Sequence, residues 1–513
     1  MRFSLAQYRG RKLTFPGNLR LSAGLRCYLI FLAGFGLGLS SIAQVSKTAL
    51  PNAPAPKSPS RTIAIANVPM PLIQNDNASS ASNNAGDVSL YTVVDLALRN
   101  SKSVGVAEAQ AENARQGWKE TRDVYIPNFS LGSGLGYSYG FPLGTPTVFN
   151  VTSTSLLFSF SQHDYIRSAK AATKAAMLSL KNTRQQVILD TSLTYIELDK
   201  TLSQVGALHE AEVDADKLLV VMQDRVQAGL ETNMQMTRAR LTRAQIALRA
   251  IQMEDHADEL RQHLSGLTGL DPALIQPAAS SIPQLPNLDF SMLLRAATPP
   301  SVQAADATAD SKMFAGWGDK RQNYRPTVQL FSQYALFSKI NNYTQYYNKN
   351  SFQYNNYGIG IQAVWPLFDP LRNDKAMESR TEADRARQQA ELAKIQNDES
   401  NLALWHSLRE LEAQAQVATL QQQLAKDMLA ATVTEMNSNA AAANGAPVTP
   451  QQAEQSRVDE RTSYVDMRDA QFNVTRVKLN LLNAVGELED WAKESGQVQS
   501  NPAGLPTPQA ASH

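Results

Sequence analysis

Leu371–Asn444, LRNDKAMESRTEADRARQQAELAKIQNDESNLALWHSLRELEAQAQVATLQQQLAKDMLAATVTEMNSNAAAAN, runs for 74 residues without a proline or a glycine. With both helix breakers absent, a helical run of that order spans about 100 Å at ~1.5 Å per residue. Helices that long need partners along their whole length. Three other long helical runs occupy the chain, and the four fall into two similar halves. Each half reads as long helix, two short alternating strands, long helix, glycine-containing turn, long helix. Two strand pairs are too few to make a sheet that covers such helices. The expected fold is therefore mainly α, a long helical tube carrying a small β part at one end.

The helical runs carry coiled-coil seams. Leu404, Leu408, Leu411, Ala415, Ala418, Gln422, Ala425 and Leu429 recur at alternating spacings of three and four. In the first half Ile188, Thr191, Tyr195, Leu198, Leu202, Val205 and His209 do the same. Ala, Thr and Gln are weak seam residues for a two-stranded coil, and small residues suit helices packed on two sides in a wall. An ordinary antiparallel bundle is the competing reading of this pattern.

The strands are read from period-two alternation. Phe129, Leu131, Leu135, Tyr137, Tyr139 and Phe141 alternate with Ser130, Gly132, Gly134, Gly136, Ser138 and Gly140. Tyr357, Ile359, Ile361, Ala363 and Trp365 alternate with Gly358, Gly360 and Gln362. Val148–Phe160 and Thr327–Phe337 are two weaker strands. Each has the length of a tilted strand crossing a bilayer, and Tyr125, Tyr137, Tyr139, Tyr324, Tyr334 and Trp365 supply interfacial aromatics. Two hairpins packed on helices are the alternative. In lipid an open sheet edge is not tolerated, so four strands demand further copies. Three chains give twelve strands, an even count within the range of outer-membrane barrels; two give eight, too narrow for an open lumen.

The first 43 residues read as an export signal. Arg2, Arg9, Arg11, Lys12, Arg20 and Arg26 form a basic lead, Tyr28–Leu39 an apolar run and Ser41-Ile42-Ala43 a small-x-small cleavage pattern. An uncleaved anchor is the alternative. The whole chain has 48 basic and 47 acidic residues; losing six basic ones leaves 42 − 47 = −5. That balance excludes a nucleic-acid binder, which needs a basic face. The single cysteine, Cys27, precedes the apolar run and is lost with it, so no disulfide, thiolate or lipid anchor is expected. Residues 44–86, rich in Pro, Ala, Ser and Asn, read as a flexible linker, and 496–513 as a disordered tail.

No catalytic chemistry is visible. The chain lacks His-Glu-x-x-His, Gly-x-Ser-x-Gly and a phosphate-cradling Gly-Lys turn. His256 and His263 share a helix face without a third ligand. Gly132, Gly134 and Gly136 lie within a strand that no helix follows, which sets them apart from a dinucleotide fingerprint. Neither cofactor nor metal is expected, and the chain reads as a non-enzyme.

Landmarks recur in order through both halves. Tyr125-Ile126-Pro127 is matched by Tyr324-Arg325-Pro326, and Leu157–Phe160 by Trp365-Pro366-Leu367-Phe368-Asp369. Gln227-Ala228-Gly229-Leu230 is matched by Asn444-Gly445, and Leu267-Thr268-Gly269 by Ala484-Val485-Gly486. The offset rises from 199 (326 against 127) to 217 (486 against 269), pointing to loop-sized insertions in the second half. With the opening Leu96-Ala97-Leu98-Arg99-Asn100, this order and duplication resemble the TolC-like outer-membrane efflux proteins across Leu90 to Trp491. The repeats would cover 87–280 (strands near 127–141 and 148–160, tip near 227–235) and 281–495 (strands near 326–338 and 354–366, tip near 440–452).

The resemblance implies a homotrimer with a twelve-stranded barrel in the outer membrane and a helical barrel in the periplasm. It implies a passive duct of a tripartite efflux pump for small toxic compounds, docked to a periplasmic adaptor and an inner-membrane transporter of RND, ABC or MFS type. A type I protein secretion duct and a pore-free periplasmic coiled-coil scaffold stay open as alternatives. By the same resemblance Gly229, Leu230, Gly445 and Thr449 mark the tips that meet the adaptor. Gln235, Gln452 and Gln455 stand where a pore constriction is expected, amides where relatives can carry acids.

Overall fold

The structure, a computed structural model, describes residues 88–134, 147–287, 289–295, 298–337, 354–437 and 449–500. The chain divides into Met1–Ala81 and Ser82–His513, and every described residue belongs to the second unit. The export segment, the linker, the stretch 135–141 and Gly445 lie outside the described residues.

The first half holds α1 (Leu90–Asn100), α2 (Lys102–Asp123), β1 (Asn128–Ser133), β2 (Thr147–Ser159), α3 (Phe160–Gln227) and α4 (Asn233–Thr268). The second holds α5 (Phe290–Arg295), α6 (Pro300–Tyr324), β3 (Thr327–Phe337), β4 (Asn355–Val364), α7 (Pro370–Asn437), α8 (Pro450–Val485) and α9 (Leu488–Ser500). Helix α9 carries through Gly496 to Ser500, five residues into the segment expected to be a tail. The first helix breaker beyond Gly496 is Pro502.

The two halves match helix for helix. Helices α4 and α8 have 36 residues each; α3 has 68, and α7 is helical from Pro370 to Asn437, the end of that described stretch. The offset between halves is 199 at the first strands (327 against 128), 210 at the long helices (370 against 160) and 217 at the short ones (450 against 233). Eleven extra residues of the second half thus fall between the starts of β3 and α7, five of them in the β4–α7 connection at 365–369, and seven more before the start of α8.

The helices pack as a layer. Beside the sheet α2, α3, α6 and α7 are successive neighbours; further away the order is α4, α3, α8, α7. The principal core lies where α1, α3, α4, α8 and α9 meet. It includes Leu90, Val93, Tyr195, Leu198, Leu264, Leu482 and Trp491, and Tyr195 pins the chain there. Its hydroxyl donates to the Val88 carbonyl (2.6 Å) and accepts from the Ala278 amide (2.8 Å).

The expected seam of α7 is the one that packs on α8. Between Leu408 and Leu429 the six positions 411, 415, 418, 422, 425 and 429 carry intermediate burial while the residues between them are exposed. The seam of α3 departs from its expected course. Ile188, Thr191, Tyr195 and Leu198 are buried, but below them the buried row steps to Thr201, Gln204, Leu208, Ala211, Ala215, Leu218 and Met222; His209 is exposed. A strict alternation of three and four drifts against a 3.6-residue turn. Packed against both α4 and α8, α3 buries a wider face than one seam.

Candidate functional site

The sheet is antiparallel in the order β1-β2-β3-β4, and its register puts most large apolar side chains on one face, Phe331 and Leu156 excepted. One face carries Phe129, Leu131, Phe149, Val151, Val328, Leu330, Tyr334, Tyr357, Ile359 and Ile361. The other carries Asn128, Ser130, Asn150, Thr152, Thr154, Gln329, Gln333, Asn356 and Gln362. The polar face is knitted across strands: Asn128 Oδ1 accepts from both the Thr154 amide (2.9 Å) and its hydroxyl (2.8 Å). The glycines of this face lie beneath neighbouring side chains. Gly132 sits under Asn150, and Gly360 under the ring of Phe331, its cross-strand partner. None of the four strands contains a charged residue. The apolar face is open: Phe129 is 78 %, Ile361 68 % and Tyr357 65 % exposed. An exposed row that apolar marks a surface meant for lipid or a partner.

Beneath the sheet three helices are held together by polar contacts. Asp164 on α3 is fully buried and takes two hydrogen bonds from Arg321 on α6, at 2.7 and 2.9 Å. The Tyr165 hydroxyl donates to Asp319 (2.5 Å), which also accepts from Ser379 of α7. Burial, and then that carboxylate, hold the Tyr165 hydroxyl above its usual range. Gly318 lets Tyr165 in close, and Gly316 does the same for the α7 backbone at Ser379.

Both margins of the layer are unpaired among the described residues. In the sheet, β1 pairs only with β2 and β4 only with β3. On α4, Met234, Leu241 and Leu248 recur every seven residues, followed by Ile251, and each is more than half exposed. They lie on the side opposite the buried Ala239, Ile246 and Ala250, hence away from α3. On α7, Val417, Leu420, Leu424 and Met428 form a second exposed line, turned away from α8. Where β4 enters α7, Leu367 and Phe368 are 93 % and 89 % exposed.

The tips are built by capping chemistry. Gly229 has φ +73°, a left-handed conformation that glycine adopts without strain. Its amide donates to the Val226 carbonyl, and the Leu230 amide reaches the Arg225 carbonyl at 2.9 Å, the double closure of a Schellman turn. Arg225 pairs with Glu231 across it (3.2 Å), and Leu230 is 66 % exposed. Thr232 caps α4, accepting from the Gln235 amide. Thr449 caps α8 in a full capping box with Gln452.

The comparisons with known proteins bear on all of this. Residues 93–270 match the family model described as outer membrane efflux protein. Over that segment the chain is similar to the outer-membrane efflux proteins. No curated protein matches it. Among solved structures it resembles the CmeC outer membrane channel of Campylobacter jejuni, at 16 % identity and TM-score 0.63 over 80 % of this chain and 89 % of that one. It resembles the outer membrane protein VceC of Vibrio cholerae, at 16 % identity and TM-score 0.61 over 77 % of this chain and 96 % of the other. The MtrE outer membrane channel of Neisseria gonorrhoeae, in its open state, aligns at 15 % identity and TM-score 0.58 over 80 % of this chain and 94 % of that one. Likeness at such identities is a likeness of fold. The family match and these channels together place the chain in the outer membrane. No helix among the described residues is long and apolar enough to cross a membrane.

Of the residues singled out in the sequence, Gly229, Leu230, Thr449, Gln235, Gln452 and Gln455 all fall in tip turns or the first turns of α4 and α8. Gln235 and Gln452 are equivalent third positions after their caps. The Gln452 side-chain oxygen accepts from the Thr449 amide (3.0 Å), Gln235 accepts from Arg238 (3.4 Å), and Gln455 donates to Asp459 (2.9 Å). The pattern Thr-x-x-Gln in both halves was the available signal for the capping role. His256 and His263 each take a carboxylate of α3, Glu197 and Asp190; no cluster of three metal-binding side chains occurs among the described residues. The Asp164–Arg321 pair was missed in the sequence, because its members are 157 residues apart.

Proposed function

We propose that three copies of this chain close into a twelve-stranded barrel in the outer membrane, continued by a helical barrel in the periplasm, and serve as the exit duct of a tripartite efflux pump for small toxic compounds. The observation that carries this reading is the coincidence of open edges. One margin offers β1, α2 and the apolar line of α4; the other offers β4 and the apolar lines of α7. Both sets run along the same wall, so a second copy added head to tail covers strand edge and helix margin together. Repetition closes a ring and leaves no strand edge in lipid. In such a ring the apolar strand face meets the bilayer and the amide- and hydroxyl-lined face meets water.

The duct is a passive path, and energy comes from its partners. A periplasmic adaptor contacts the tips at Gly229, Leu230 and Thr449, joined in this proposal by Gly445. An inner-membrane transporter of RND, ABC or MFS type loads the cargo. Gln235, Gln452 and Gln455 line the narrow end, where amides give a weaker preference for cations than a carboxylate ring.

The test is native mass and planar-bilayer conductance on one purified sample. A three-chain species with discrete conductance steps is the expected result. A species of one or two chains that stays water-soluble and never conducts overturns the barrel and leaves the scaffold.

A further inference from the structure

A groove of about 500 Å³ runs between α6 and α7 just below the sheet. Trp317, Tyr324, Met313 and Met377 give it apolar walls, and Lys320 and Arg380 stand on its two sides. Contacts tie it to the apolar face of the sheet. Phe158, opposite Val328 on that face, meets Phe160 edge-on at 4.7 Å between ring centroids. The Arg325 guanidinium lies over both Phe160 (5.1 Å) and Tyr324 (5.2 Å), and Tyr324 is a groove wall. One heptad below, Arg167 covers Phe314 (4.1 Å) and Trp317 (5.9 Å). The groove is thus joined through these contacts to the apolar face of the sheet and begins where the strands end.

Its charge is net positive. Lys320, Arg380, Arg325 and Arg167 have no ion-pair partner among the described residues, whereas their neighbours Arg321 and Arg372 are paired with Asp164 and Asp369. Asp384 is the one acidic residue of the described lining. Four cations on an aromatic and methionine surface, within one or two helical turns of a membrane face, match the chemistry of a lipid phosphate above an acyl chain. We propose that this groove seats the anionic headgroup of a phospholipid from the leaflet facing the periplasm. Lys320 and Arg380 take the phosphate, and Trp317, Tyr324 and Met377 take the upper part of a chain. This rests on the reading that the apolar strand face meets the bilayer.

The experiment uses the purified protein reconstituted in vesicles of phosphatidylglycerol and phosphatidylethanolamine, then released into native mass spectrometry, with conductance recorded on the same preparation. The wild type is expected to keep phosphatidylglycerol in preference to phosphatidylethanolamine. In Lys320→Gln/Arg380→Gln that retention falls by roughly tenfold or more, as expected for two interfacial cations. Lys102→Gln/Lys181→Gln, exposed cations beside a groove of α2 and α3, leaves it unchanged. Equal retention by wild type and Lys320→Gln/Arg380→Gln, or no preference for the anionic lipid, overturns the proposal. A wild type that neither forms trimers nor conducts fails at the channel reading instead and takes this inference with it.

Discussion

Gly360 is bare because Phe331 occupies the space above it. A Cβ there would lie 2.6 Å from the phenyl ring, so Gly360→Ala is expected to destabilise the sheet by about 1–3 kcal/mol through overpacking. Phe331→Ala in the same chain is expected to restore most of it, a coupling read from thermal unfolding in detergent. The buried Asp164 depends on one partner. Arg321→Ala is expected to cost about 2–3 kcal/mol in thermal unfolding, less than for an enclosed pair because Arg321 is 42 % exposed; adding Asp164→Asn recovers part of the loss. Tyr165 makes the alkaline side informative. Its hydroxyl is held above the ordinary value, so the folded state favours the neutral phenol. Its contribution is whole below the ordinary tyrosine value of about 10 and is lost as pH rises above it. Comparison of alkaline melts with those of Tyr165→Phe isolates that loss, and a variant no more alkali-resistant than the wild type contradicts it.

Elements were legible wherever one partner dominates. Helix α7 packs one seam on α8, so its spacing of three and four reads directly off Leu408 to Leu429. Helix α3 has neighbours on both sides, and its single expected seam drifts off Val205 and His209. The alternation of Tyr357 to Ile361 is clear because lipid-type side chains oppose glycines. What the alternation cannot reveal is that Asn150 and Phe331 lie over those glycines, since that depends on register between strands. The polar junction of Asp164, Asp319, Arg321 and Ser379 was illegible for the same reason. The unpaired lines of α4 and α7 carry a prediction at this scale. Leu241→Glu and Leu424→Glu each place a charge in an apolar margin and are expected to shift the assembled species toward single chains in size-exclusion with light scattering. Leu408→Ala, by contrast, is expected to weaken the α7–α8 pair without changing the assembled mass.

Across the molecule as a whole, the four strands carry no charged side chain, as the proposed step from lipid to water requires. Faces rather than positions should therefore decide tolerance. Ser332 and Gln333 are adjacent and point to opposite sides. Ser332→Lys is expected to cost about 2–4 kcal/mol of membrane stability near the midplane and to reduce the inserted yield. Gln333→Lys is expected to insert normally and to shift the reversal potential toward anions. The reverse pattern would turn the sheet inside out. The family fold was readable from duplication and order, whereas cargo is written in no residue that either half singles out. The shorter helices of the two hairpins are matched in length. Helices α4 and α8 have 36 residues each, and each starts at a threonine cap and stops at a left-handed glycine. One residue added to α8 alone would carry its capped end about 1.5 Å beyond that of α4 and swing it by about 100°.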